Sequence, residues 1–212
     1  MKGIHMQLQF AMDTLTTEAA LELAAAAGPH VDILELGTPL IKAAGLSAIT
    51  AVKAAHPDKI VFADLKTMDA GELEADIAFS AGADLVTVLG VAGDSTIVGA
   101  VKAANKHGKG IVVDLIGVAD KAARAKQVVA LGAQFVEMHA GLDEQAEDGF
   151  TFSTLLDDGK ASGVAFSVAG GVNVSSIASV QQSGAEVAVA GGAIYGAPDV
   201  GAAAAALRAA IV

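Results

Sequence analysis

The chain has no cysteine and no tryptophan, and holds only four prolines and one tyrosine among 212 residues. Without cysteine there is no disulfide framework, no thiolate nucleophile and no cysteine-based metal site. Basic residues are scarce. Thirteen Lys and Arg against 24 Asp and Glu leave a net charge of −11, and no Lys/Arg-rich run occurs. That disfavours a grip on the nucleic-acid backbone, so no nucleic-acid partner is expected. A small phosphate can still be held locally on backbone amides. The opening MKGIHMQLQF has no signal-peptide apolar region, and no unbroken apolar run is long enough to span a bilayer. The alanine-rich stretch Val200–Val212 is too short and carries Arg208. A cytoplasmic protein with no membrane partner is expected.

What is present is apolar and small: 53% hydrophobic residues, rich in alanine, with 24 glycines. The length suits one domain, 1–212, with a sizeable core and no linker. Short β-like runs alternate with helical patterns. The strand candidates are Gln7–Asp13, Asp32–Gly37, Lys59–Lys66, Leu85–Gly90, Gly110–Ile116, Phe135–His139, Val164–Ala169 and Val187–Gly191. Between them, apolar spacings of three and four predict helices over Thr16–Ala27, Ala44–Ala54, Ala70–Ala81, Thr96–His107, Ala119–Leu131, Phe152–Ser162, Val174–Ser183 and Asp199–Ala210. Ala27-Gly28, Ala81-Gly82, Leu131-Gly132 and Ser183-Gly184 recur about every second unit, where a left-handed helix stop is expected. Strand–helix alternation of this kind implies parallel strands and right-handed crossovers. The α/β reading is a single (β/α)8 TIM barrel. A doubly wound open sheet is the alternative, weakened because no GxGxxG follows the first strand.

In a barrel, chemistry gathers at the C-terminal strand ends. The third strand supplies Val61-Phe62-Ala63-Asp64-Leu65-Lys66-Thr67-Met68-Asp69. Asp64 and Lys66, two apart, point to one side of a strand, while Asp69 lies beyond it on the loop. This is either a buried ion pair closing a barrel layer or part of an active site. The other ends offer Asp13, Glu35, Asp114 and His139. Glu35 and Asp64 end neighbouring strands, where two carboxylates repel unless a cation sits between them; Mg²⁺ suits such oxygen ligands. Lys66 would then stabilise an oxyanion; a Schiff base is the rival role, disfavoured because flanking carboxylates raise a lysine's pKa. Asp114 reads equally as a ligand or as an ion-pair partner of Lys66. His139 is a core histidine or a general acid/base, and Glu137 shares its side of the strand. His5, His30, His56 and His107 are expected at the surface. Strands seven and eight end in Gly170-Gly171 and Gly191-Gly192, which form tight turns or a phosphate cradle.

Several segments carry a family resemblance: Ala11-Met12-Asp13, Glu35-Leu36-Gly37-Thr38-Pro39-Leu40-Ile41, Asp64-Leu65-Lys66-Thr67-Met68-Asp69, Thr87-Val88-Leu89-Gly90, Val113-Asp114-Leu115-Ile116-Gly117, His139-Ala140-Gly141-Leu142-Asp143-Glu144-Gln145, Ala169-Gly170-Gly171 and Gly191-Gly192-Ala193-Ile194. Across nearly its whole length the chain resembles the hexulose-phosphate synthase / 3-keto-L-gulonate-6-phosphate decarboxylase family of the orotidine-monophosphate-decarboxylase superfamily. The Asp-x-Lys-x-x-Asp motif marks the superfamily; the segments around Glu35 and His139 are narrower. The decarboxylase arm has arginines where this chain has Leu142 and Gly192, which favours the synthase arm.

The resemblance implies aldol condensation of formaldehyde with D-ribulose 5-phosphate to D-arabino-hex-3-ulose 6-phosphate through an enediolate. Its implied parts are Mg²⁺, with Mn²⁺ as the alternative, on Glu35 and Asp64, the phosphate on Gly170, Gly171, Gly191 and Gly192, His139 as base and Lys66 on the oxyanion. Asp13 would help to orient Lys66 and the sugar hydroxyls. It also implies a homodimer with shared active sites, Asp69 reaching into the neighbouring site. A decarboxylase on the same scaffold and a non-catalytic phosphosugar-binding protein remain the other readings.

Overall fold

The computed structural model describes residues 6–212; the surface expectation for His5 lies outside them. Eight strands close into a parallel barrel in sequence order: β1 (Gln7–Met12), β2 (Ile33–Leu36), β3 (Ile60–Thr67), β4 (Leu85–Leu89), β5 (Gly110–Asp114), β6 (Phe135–His139), β7 (Phe166–Ala169) and β8 (Val187–Ala190). β8 pairs back onto β1, Gln9 opposite Val189, so no sheet edge is left open. Each strand lies within a residue or two of its expected span.

The helices are α1 (Thr17–Ala27), α2 (Thr38–Ala44), α3 (Ser47–Ala55), α4 (Gly71–Ser80), α5 (Asp94–His107), α6 (Lys121–Ala130), α7 (Leu142–Gln145), α8 (Phe152–Ser162), α9 (Ile177–Gln182), α10 (Gly192–Tyr195) and α11 (Val200–Ala209). Side-chain caps set several starts: Thr16, Asp120 and Asp199 each accept a first-turn backbone N–H. Gly82, Gly132 and Gly184 take positive φ at helix ends as the repeat predicts. Gly28 does not; its φ of −48° opens a 3-10 turn, Gly28–His30. The helix expected from Ala44 begins three residues later, because Gly45, at φ 74°, separates α2 from α3.

Two apolar layers hold the structure. Ile33, Phe62, Leu85, Val112, Phe135 and Val187 fill the inside of the barrel. The opposite strand faces pack against the helices, which meet them with small residues such as Ala20, Ala24 and Ala27 of α1. Alanine there lets the helices lie close to the sheet. At the α4–α5 crossing, a Cβ on Gly71 would stand 1.9 Å from the Thr96 carbonyl oxygen, so only glycine permits that contact. Period-two alternation then decides the interior: on β2 to β6 the inward apolar residue is followed, two positions on, by a polar one, whereas on β8 Val187 is followed by Val189. Ile33 is followed by Glu35, Phe62 by Asp64, Leu85 by Thr87, Val112 by Asp114, Phe135 by Glu137. Five strands thus deliver buried polar side chains to one level. Among the described residues no helix is long and apolar enough to cross a membrane.

Candidate active site

A cavity of about 910 Å³ opens above that level, at the C-terminal strand ends. Asp13, Glu35, Asp64, Lys66, Glu137 and His139 line it, as do all four glycines Gly170, Gly171, Gly191 and Gly192. Asp69 does not line it; it is exposed on the turn after β3.

Lys66 is held at the centre. Its Nζ donates to Asp64 Oδ2 at 2.9 Å and to Asp114 Oδ2 at 2.8 Å. The β3–β4 register shifts between Ala63 and Thr67, and Lys66 occupies this bulge with φ 48°. Few non-glycine residues hold such a backbone, and bulges often re-aim a side chain. Thr87 of β4 braces it: its hydroxyl accepts from the Lys66 N–H at 2.9 Å and donates to Asp64 Oδ1 at 2.7 Å. Thr38, which opens α2, donates to Asp64 Oδ2 at 2.7 Å.

Asp114 is an ion-pair partner. It is fully buried. Its Oδ2 also meets His139 Nδ1 at 2.8 Å, and its Oδ1 accepts from the Ile116 N–H at 2.8 Å. With Nδ1 turned to Asp114, and Glu137 Oε1 3.6 Å away, Nε2 is the ring nitrogen left for chemistry. Ser167 donates to Glu137 Oε2 at 3.3 Å.

Four buried carboxyl groups here face one lysine and one histidine, and that balance governs where protons are held. Burial alone would lower Lys66, but Asp64, then Asp114 and Glu137, outweigh it and raise its pKa. The lysine therefore stays an ammonium, which disfavours a Schiff base. Burial resists ionisation of Asp114, yet His139 and Lys66 pull it down to about 2. Burial would lower His139; Asp114, close to Nδ1, raises it. Burial, then the Asp114 charge, push Glu137 up to about 7. Glu35 is raised well above the usual carboxylate range by burial, then by Asp64 and Glu137. Burial and Asp64 also raise Asp13.

Among the described residues, Asp114, Glu137 and His139 form a group whose possible ligand atoms lie within 4.8 Å of one another. Both Asp114 oxygens are engaged there, Oδ2 by Lys66 and His139 and Oδ1 by the Ile116 N–H, and both Asp64 oxygens likewise accept, from Thr87, Thr38 and Lys66. Glu35 and Asp64 lie outside this group but face the cavity, and burial together with the Asp64 charge resists ionisation of Glu35 until a cation offsets it. Those two residues fit a small divalent cation.

The glycines differ in kind. A Cβ on Gly170 would lie 2.3 Å from the Ala140 carbonyl oxygen, so the turn alone requires glycine. A Cβ on Gly192 would meet nothing nearer than Tyr195 Oη at 3.7 Å, and one on Gly191 would meet atoms at 3.4 Å. That side of the cavity is open to a ligand. Among the described residues no arginine lines the cavity, and Leu142 and Gly192 both do.

The expected mouth residues Asp13, Glu35, Asp64, Lys66 and His139 are brought together, and Asp69 stands apart. Thr38, Thr87, Gln9 and Tyr195 were not singled out by the sequence reading. The alternation that placed Asp64 beside Lys66 also places Gln9 inside, four residues before Asp13. His30, His56 and His107 are half-buried rather than at the surface; His107 bonds Asp76 at 2.8 Å and packs on the Phe79 ring.

A closed parallel barrel whose mouth gathers a clamped lysine, a histidine and several carboxyl groups defines a TIM-barrel enzyme. The family model "Orotidine 5'-phosphate decarboxylase / HUMPS family" matches residues 6–207. A protein of Mycobacterium gastri named 3-hexulose-6-phosphate synthase is 72% identical over 206 residues, 97% of this chain and 100% of its own. A crystal structure of a 3-hexulose-6-phosphate synthase superposes with a TM-score of 0.97 at 72% identity, over 98% of this chain and 100% of that one. The crystal structure of 3-keto-L-gulonate-6-phosphate decarboxylase from Vibrio cholerae gives a TM-score of 0.86 at 31% identity, over 98% of this chain and 97% of that one. The chain belongs to the orotidine 5′-phosphate decarboxylase / HUMPS family, and within it groups with the enzymes named 3-hexulose-6-phosphate synthase.

Proposed function

We propose that this enzyme condenses formaldehyde with D-ribulose 5-phosphate to give D-arabino-hex-3-ulose 6-phosphate, with Mg²⁺ or Mn²⁺ as cofactor. The observation that carries the reading is Lys66, an ammonium fixed between Asp64 and Asp114 at 2.9 and 2.8 Å and facing the cavity. A cation on Glu35 and Asp64 would act there as a Lewis acid toward the sugar's oxygens.

The chain's own residues supply the rest. The open backbone at Gly171, Gly191 and Gly192 receives the phosphate, and Gly170 shapes the turn beneath it. His139 Nε2 takes a proton from C1. Lys66 stabilises the oxygen charge that develops on C2. The new bond forms between C1 and the formaldehyde carbon, and the imidazolium returns its proton to the formaldehyde oxygen. No proton is gained or lost overall. Asp13 orients the sugar hydroxyls.

The enzyme acts as a homodimer in this reading. Asp69 is exposed and outside its own cavity, next to Met68. Met68, Leu73, Ile77, Val91 and Val98 form an exposed apolar set on and around α4 and α5, a surface suited to a second copy.

The sister activity, decarboxylation of 3-keto-L-gulonate 6-phosphate, is disfavoured by Leu142 and Gly192 at the cavity wall. A coupled assay with formaldehyde and ribulose 5-phosphate tests the proposal. Hexulose phosphate should form, and EDTA should abolish its formation. Full activity after chelation would remove Glu35 and Asp64 from the cation role. Faster release of CO₂ from 3-keto-L-gulonate 6-phosphate would favour the decarboxylase.

A further inference from the structure

Gln9 lies inside the barrel on β1, fully buried, with apolar Ile33 and Val189 opposite it on the flanking strands. Its Nε2 donates to Glu35 Oε2 at 2.7 Å. Its Oε1 is a buried side-chain atom with no hydrogen-bond partner. An orphaned buried acceptor costs stability, and a methionine of similar length would pack among these neighbours without that cost. The amide therefore contributes something that packing does not, and its one engaged atom is the donor to Glu35.

We propose that Gln9 is a positioning residue: from below the cavity floor its amide N–H fixes the Glu35 carboxylate in the orientation that receives a divalent cation. This rests on the reading that Glu35 holds the cation. Glu35 cannot orient itself. It lies near the end of a four-residue strand, and its neighbours Asp64 and Glu137 repel it. A donor on Oε2 pins one oxygen and leaves the other to turn toward the cavity. Partners of this kind around a metal ligand typically change affinity about 10–100-fold when removed.

The test titrates Mn²⁺ alone, followed by electron paramagnetic resonance, and Mg²⁺ by calorimetry, on the full chain. Wild type, Gln9→Met and Glu35→Gln are compared, with thermal unfolding measured without metal. Gln9→Met should weaken metal binding about 10–100-fold, measured on protein whose metal-free thermal unfolding shows it folded. Should Gln9→Met not fold, Gln9→Asn withdraws the donor by one methylene and should weaken binding in the same direction. Metal affinity within about twofold of wild type in the folded variant overturns the proposal, and so does a fall in stability with affinity unchanged. If Glu35→Gln also binds as wild type, the cation reading itself has failed; if Glu35→Gln loses the metal and Gln9→Met keeps it, only the role of Gln9 has.

Discussion

Lys66 combines two unfavourable states in one residue. Its backbone sits at φ 48°, a conformation costing on the order of 1–3 kcal/mol for a non-glycine residue, and its charge is held in a desolvated wall. Both persist because Asp64, Asp114 and Thr87 over-determine its position. Glu137 is the opposite case, a carboxyl that its surroundings resist ionising. Its folded pKa of about 7 exceeds the ordinary 4.5. The contribution is therefore fully present below the ordinary pKa and is lost as pH rises through the folded value. Glu137→Gln removes this dependence. Measured by urea unfolding without divalent cation, the variant should gain stability on wild type as pH rises from about 5 to about 8, on the order of a few kcal/mol. An unchanging difference across that range would place the Glu137 proton elsewhere.

At the scale of elements, the strands were legible because each inward run alternates with period two and the helix before it often ends in glycine. The same alternation put Glu137 beside His139 and could have placed Gln9, but a lone glutamine carries no motif. α2 was missed because Thr38-Pro39 reads as a loop, although proline suits a helix's first turn. α7 and α10 span four residues each, too few for helical periodicity to register. The bulge at Lys66 has no sequence signature at all; Thr87 of the neighbouring strand braces it. The turn that follows makes its own prediction. If Asp69 serves the partner's site, inactive Lys66→Ala and Asp69→Ala proteins should rescue each other once subunits exchange. Random pairing makes half of the dimers mixed, each with one intact site, so about a quarter of wild-type activity should return. A mixture as inactive as its parents, with exchange verified, would confine each site to one chain.

For the whole molecule, closure of the barrel converts eight local alternations into one ring, and closure decides which residues meet. Glu35, Asp64, Asp114, Glu137 and His139 come from four strands that lie far apart in the sequence. Their convergence was legible once eight parallel strands were recognised; their hydrogen bonds were not, because register across neighbouring strands sets those. The ring also separates two chemistries, a charged wall on β2 to β6 and a glycine wall on β7 and β8. In the proposed reading a phosphosugar spans that division, with its phosphate on the glycines and its C1 end beside Lys66 and His139. The central claim is that this array makes an enediolate, and it can be examined without formaldehyde. In D₂O containing Mg²⁺ and ribulose 5-phosphate, proton NMR should show wild-type enzyme exchanging a C1 hydrogen for deuterium. Lys66→Ala should slow the exchange by roughly 10²–10³ or more, the scale of losing one strong oxyanion donor. Exchange at the wild-type rate in Lys66→Ala would contradict the account.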